Sequence, residues 1–189
     1  MPANLRLFIA VPIPVTTVIE SVREELRELG TGLRVSRDDT LHLTVKFLGD
    51  TPRNRVPEIE SVLQETLSDQ TVFPLQFRGI GAFPKPTRPS VVWIGVTDNP
   101  LLNSIATRLE DNLNAIGFPK EDRPYHPHIT IARVRRGCQL NLSSLCQNHQ
   151  KTELGTQSAT PFVLYESILN NGPHSNGPLY NALSEISLS

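Results

Sequence analysis

The sequence predicts one compact domain in which a strand–helix–strand unit occurs twice, giving two similar lobes. Three observations carry this expectation. Two apolar, strand-like runs are each followed by an amphipathic helix that stops at a glycine. Each helix leads through a turn into a second strand that opens with His-x-Thr. The pitch is nearly the same both times: 33 residues from Ile9 to His42 and 34 from Ile94 to His128.

In chain order, residues 5–11 (LRLFIAV) read as a buried strand. Pro14 suits a first helical turn, and Val15, Val18, Ile19, Val22, Leu26 and Leu29 then recur at spacings of three and four up to Gly30. After a turn at 36–39, residues 41–48 (LHLTVKFL) form a strand. Residues 52–68 return to helical periodicity through Val56, Ile59, Val62, Leu63 and Leu67. Residues 73–80 and 91–96 read as strands around a proline-rich turn, GAFPKPTRPS. The second copy follows: strand 91–96, helix 101–116 closed by Gly117, and strand 128–134 (HITIARV). Residues 139–150 are a weaker helix or loop, and 162–169 and 179–187 are closing strands.

Composition narrows the function. With 18 Lys and Arg against 19 Asp and Glu, the net charge is −1, which excludes a protein that coats nucleic-acid backbone by bulk charge. The charge is nevertheless uneven: residues 20–28 carry −2 and residues 120–136 carry +3. That basic segment contains the second His-x-Thr. Cys138 and Cys146 match no common zinc spacing and are expected to be free thiols. No apolar run approaches the ~20 residues of a membrane span, and the opening stretch is too short for a signal peptide. A cytoplasmic monomer without a membrane partner is the expectation.

The chemistry is carried by His42-Leu43-Thr44 and His128-Ile129-Thr130. Residues two apart on a strand share a face, so each strand offers an imidazole and a hydroxyl while Leu43, Val45, Ile129 and Ile131 enter the core. Two imidazoles flanking one centre make a general acid and a general base, and threonine hydroxyls donate to anionic oxygens. This suits in-line displacement at phosphorus with fixed donors and no metal. His126 shares the parity of His128 and is an alternative catalyst, although it lacks a following Thr and precedes Pro127; it reads as a turn or supporting residue. Lys46 is expected in solvent, Phe47 and Trp93 in the core, and His149 and His174 in polar loops.

HLTVKFLG and HPHITIAR resemble the paired motifs of the two-histidine phosphoesterase superfamily, and within it the RNA 2′,3′-cyclic phosphodiesterase or 2′-5′ RNA ligase (LigT/ThpR) family. RLFIAVPIP, GIGAFPKPTRPSVVWIGV, EDRPYHPHITIARV and LYESILNNGPHSNGPLYNAL extend the likeness over nearly the whole chain. The resemblance implies an α+β, bilobal fold of mainly antiparallel sheet, with helices outside and a central cleft. It implies hydrolysis of RNA 2′,3′-cyclic phosphate ends to 2′-phosphomonoesters with no cofactor, and the basic segment at 120–136 suits capture of a single RNA end. It assigns His42 as proton donor, His128 as proton acceptor, and Thr44, Thr130 and Arg133 as substrate-binding residues; the residues alone do not set the acid/base order. Strict alternation puts Arg133 on the face opposite His128, so it reaches the cleft only if its strand bulges, twists or ends. The alternatives are 2′-5′ ligation, another small cyclic phosphate, or a non-catalytic RNA-end-binding module.

Overall fold

In the computed structural model, residues 4–169 and 177–189 are described; the expectation for His174 lies outside them. The elements are β1 (Asn4–Pro12), α1 (Thr17–Glu28), β2 (Leu33–Val35), β3 (His42–Pro52), α2 (Val56–Leu67), β4 (Pro74–Lys85) and β5 (Arg88–Val96). They continue with α3 (Pro100–Ala115), β6 (His128–Val134), α4 (Ser143–Asn148), β7 (Glu153–Ser158), β8 (Phe162–Ile168) and β9 (Leu179–Ile186). All strand pairs are antiparallel, in the order β7-β4-β5-β6-β3-β1-β8-β9, with β2 also on β6.

The order is symmetric about its middle. In one half β3 pairs β1, and in the other β6 pairs β5. The halves join through one registered pair, Leu43 opposite Ile129. Beyond it β3 and β6 diverge, and β2 takes the rest of that edge of β6 through Leu33, Arg34 and Val35. The helices interlock the repeats. α1 packs against β2, β6 and β7, whereas α3 packs against β3, so each helix reaches the sheet half built from the other repeat.

Local chemistry explains the helix limits. α1 starts after Thr16, whose side chain accepts from the Ile19 N–H, so Pro14 lies before the helix and not in its first turn. α3 starts after Asn99, which accepts from Leu101 and Leu102, and here a proline does occupy the first turn. Gly30 and Gly117 follow the two helices at φ +95° and +93°, a backbone region that side chains with a Cβ rarely adopt.

The proline-rich segment is not a loop. β4 and β5 run through most of it and turn only at Pro86 and Thr87. The short strands β2 and β7 and their pairings have no periodic signature of their own. The weak helix is the six-residue α4. His149 is not solvated: its Nε2 lies 2.7 Å from the Glu25 carboxylate. Lys46 is also a correction. It is buried, with Nζ 2.7 Å from Glu110 on α3 and 2.8 Å from the Pro119 carbonyl. The cause is a bulge: Ala10 faces Thr44 and Ile9 faces Lys46, leaving Val45 as an extra residue that flips the alternation after it.

Removing one partner of a buried pair leaves a desolvated charge. Glu110→Ala is therefore expected to destabilise the fold by about 3–5 kcal/mol in urea denaturation, with Lys46→Met/Glu110→Leu recovering most of it. A loss below about 1 kcal/mol would mean that the pair behaves as a solvated surface one.

Candidate active site

The join between the halves builds the site. Antiparallel registration about Leu43 and Ile129 sets His42 beside Thr130 and Thr44 beside His128. Leu43 and Ile129 are fully buried behind them, so the two imidazoles and two hydroxyls share the opposite face. All four line one cleft of ≈ 600 Å³.

Both histidines are held in the same way. Nδ1 of His42 lies 2.7 Å from the Thr40 carbonyl, and Nδ1 of His128 lies 2.7 Å from the His126 carbonyl. A carbonyl can only accept, so Nδ1 carries the hydrogen and Nε2 is left as the titrating nitrogen. Aromatic rings wall each imidazole. Phe8 and Tyr180 stand 5.0 and 5.1 Å from His42, and Phe83 stands 5.1 Å from His128.

Burial pushes the His42 pKa down to about 4, against the hydrogen bond to the Thr40 carbonyl, which raises it; the positive charge of Arg133 and the His128 ring lower it further. His128 is lowered for the same first reason, with contributions from His126 and Arg133. Both rings are therefore neutral at pH 7 in the protein alone. Among the described residues the Thr44 and Thr130 hydroxyls have no hydrogen-bond partner. The Thr44 carbonyl is held at 3.0 Å by the Tyr125 hydroxyl.

Arg133 does line the cleft. Thr130 faces Trp93 and Ala132 faces Val92 in β5, so Ile131 is an extra residue. Ile131 and Ala132 are both buried, and Arg133 regains the face of His128 and Thr130. The bulge at Val45 does the same for Phe47, which is 59% exposed on the cleft rim and not in the core. Trp93 is half-buried. It lies against Gly81, where any Cβ would come within 2.2 Å of the indole ring, so position 81 needs glycine. His126 is exposed and does not line the cleft; its carbonyl orients His128 and its ring packs on Phe83 and Trp93.

Of the basic residues in the 120–136 segment, only Arg133 lines the cleft. Lys120 pairs with Asp111, and Arg123, Arg135 and Arg136 are exposed away from the cleft. Arg133 is joined instead by Arg6, Arg34 and Arg37, and no Asp or Glu is among the described lining residues. Arg6 is legible in the sequence, because alternation with buried Leu5 and Leu7 puts it on the other face of β1. Arg34 and Tyr180 are not, since each reaches the cleft through a pairing (β2 on β6, β9 on β8) that no local pattern reveals. Among the described residues no three His, Cys, Asp or Glu side chains converge as a metal site. Cys138 and Cys146 are free thiols, the first exposed and the second buried.

Two pseudo-symmetric halves meeting at paired His-x-Thr strands have the architecture of a two-histidine phosphoesterase. A family model described as the 2′-5′ RNA ligase superfamily matches residues 11–161, and the chain belongs to that superfamily. An Archaeoglobus fulgidus protein named RNA 2′,3′-cyclic phosphodiesterase is 32% identical over 181 residues, covering 95% of this chain and 98% of the relative. A solved Thermus thermophilus structure matches with TM-score 0.74 at 27% identity, covering 97% of this chain and 98% of the other. E. coli LigT complexed with 3′-AMP matches with TM-score 0.70 at 25% identity, covering 98% and 99%.

The His42 shift has a testable sign. Its folded pKa of about 4 lies below the ordinary value of 6.5, so between those values the folded state binds fewer protons than the unfolded state. The stability that neutral His42 contributes is complete above pH 6.5 and is lost as pH falls toward 4. His42→Gln is expected to flatten the pH dependence of unfolding free energy in that window. An unchanged slope would show that His42 titrates normally.

Proposed function

We propose that the chain hydrolyses the 2′,3′-cyclic phosphate at an RNA end to a 2′-phosphomonoester by general acid/base catalysis between two histidines. The observation that carries this reading is the placement of His42, Thr44, His128 and Thr130 on one face of two adjoining strands, in a cleft lined by arginines. The activity named for the relatives supports the substrate class.

In this reading the cyclic phosphate lies between the imidazoles. Thr44, Thr130 and Arg133 hold its non-bridging oxygens. His128, neutral, takes a proton from water as the water oxygen bonds to phosphorus. The P–O3′ bond breaks, and His42, protonated, delivers its proton to the departing 3′-oxygen. Metal and nucleotide play no part in this scheme. An RNA 5′-hydroxyl in place of water would give a 2′-5′ linkage by the same steps.

His42 is neutral in the protein alone, so its proton must be acquired with the substrate, whose negative charge raises its pKa. The two interlocked halves act as one catalytic unit. We further propose a cytoplasmic monomer: free thiols fit a reducing compartment, and among the described residues no helix is long and apolar enough to cross a membrane.

The test is turnover of RNA bearing a 2′,3′-cyclic phosphate in EDTA, with product analysis. A 2′-phosphate is expected; a 3′-phosphate would overturn the leaving-group assignment, and binding without turnover would favour an RNA-end-binding module. His42→Ala and His128→Ala should each lower kcat by roughly 100-fold or more. An aryl phosphodiester whose phenolate leaves without protonation should rescue the His42 variant and not the His128 variant. Because kcat/KM reports the free enzyme and kcat the complex, the alkaline limb of kcat should lie at higher pH than that of kcat/KM. Coincident limbs would mean that substrate does not shift His42.

A further inference from the structure

Arg34 and Arg133 stand directly opposite each other in the β2–β6 pair, and both line the cleft. Like charges at facing strand positions repel. Among the described residues neither guanidinium has an ion-pair partner. Of the other two cleft arginines, Arg37 grips Asp39 through Nε at 2.8 Å and through Nη2, and Arg6 makes no ion pair among the described residues but stands in register opposite Asp50, away from Arg133. All four guanidinium groups act on the Tyr180 hydroxyl, which places them around one region of the cleft.

A cyclic phosphate end carries one negative charge. Arg133, the two threonine hydroxyls and one imidazolium account for it. Of the remaining cleft arginines, Arg34 is the one directly opposite Arg133, one strand spacing of about 5 Å away. Arginine presents a fixed fork of donors suited to phosphate oxygens. In an RNA strand, the nearest further phosphate is the one on the 5′ side of the terminal nucleoside.

We propose, resting on the function above, that Arg34 holds the phosphodiester joining the terminal nucleoside to its 5′ neighbour, so that the cleft selects the end of an RNA strand over a free nucleoside cyclic phosphate. The arrangement distinguishes two substrates with identical reacting groups, because only the strand end brings a second anion.

The experiment compares kcat/KM for a nucleoside 2′,3′-cyclic phosphate with that for a dinucleotide ending in the same group. Wild type is expected to favour the dinucleotide by about tenfold, the scale of one hydrogen-bonded charge contact. Arg34→Gln should abolish most of that gain through KM, and Arg34→Lys, which restores the charge, should recover much of it. On the dinucleotide, Arg34→Gln should also reduce the slope of log KM against log salt by about 0.7. Arg135→Gln, which removes an exposed charge outside the cleft, should keep the gain. Equal wild-type kcat/KM on the two substrates, or an Arg34→Gln loss that is the same on both, would overturn the assignment of Arg34 and leave the phosphodiesterase reading intact. Absence of wild-type turnover on either substrate would overturn both.

Discussion

Everything in the site hangs on one strand contact, the pairing of Leu43 with Ile129. Pairing β3 and β6 along their whole length would make a continuous sheet with no cleft. With no pairing between β3 and β6, the two halves would rely on the short β2–β6 ladder and on helix contacts, and a misplacement of about 1 Å between reacting groups is costly to catalysis. One registered pair, fully buried, is the compromise. It fixes the distance between the two His-x-Thr segments and lets the strands diverge on either side. The exchanged helices reinforce it, since α1 and α3 each brace the half built from the other repeat.

The same geometry explains which parts of the molecule can be read from the sequence. The two helices and the strands around both His-x-Thr motifs obey simple periodicities because each buries one face. His42, Thr44, His128 and Thr130 are legible for that reason. Alternation then fails at two positions related by the repeat, Val45 and Ile131, where a bulge adds one residue. A bulge leaves no mark in composition: Ile131-Ala132 fits an ordinary buried strand, and Val45-Lys46 fits ordinary alternation of buried and exposed residues. The sequence alone therefore assigns Lys46 to solvent and Phe47 to the core, and the bulge reverses both. Arg133 reaches the cleft by the same irregularity. Arg34 depends on a three-residue strand, too short to carry any period.

Charge follows the fold and not the order of residues along the chain. A chain of net charge −1 concentrates four arginines in one cleft with no carboxylate among the described lining residues, while the basic run near residue 120 is spent on the surface. Buried Arg23 shows how the cleft is supported from behind. It reaches from α1 to the Ser36 carbonyl and to Asp38, each at 2.6 Å. The segment it anchors carries Arg37 and also Thr40, whose carbonyl orients His42.

Burial behind the aromatic walls and the charge of Arg133 act on the histidines in the same direction, and this bears on turnover. Both disfavour imidazolium, so in the proposed cycle His42 draws its proton from solvent only while an anion occupies the cleft. That coupling spares the cleft, before substrate binds, a further cation beside its arginines, which would hold any free phosphate more tightly. In the same proposed cycle, His128 carries a proton after water is activated, and its surroundings favour return of that proton to solvent. In this proposed cycle, the lowered pKa that obliges the acid to load with substrate is therefore the property that resets the base after product forms. One environment, repeated on both sides of the Leu43–Ile129 contact, serves both roles, and the direction of proton flow is set by which imidazole faces the departing oxygen.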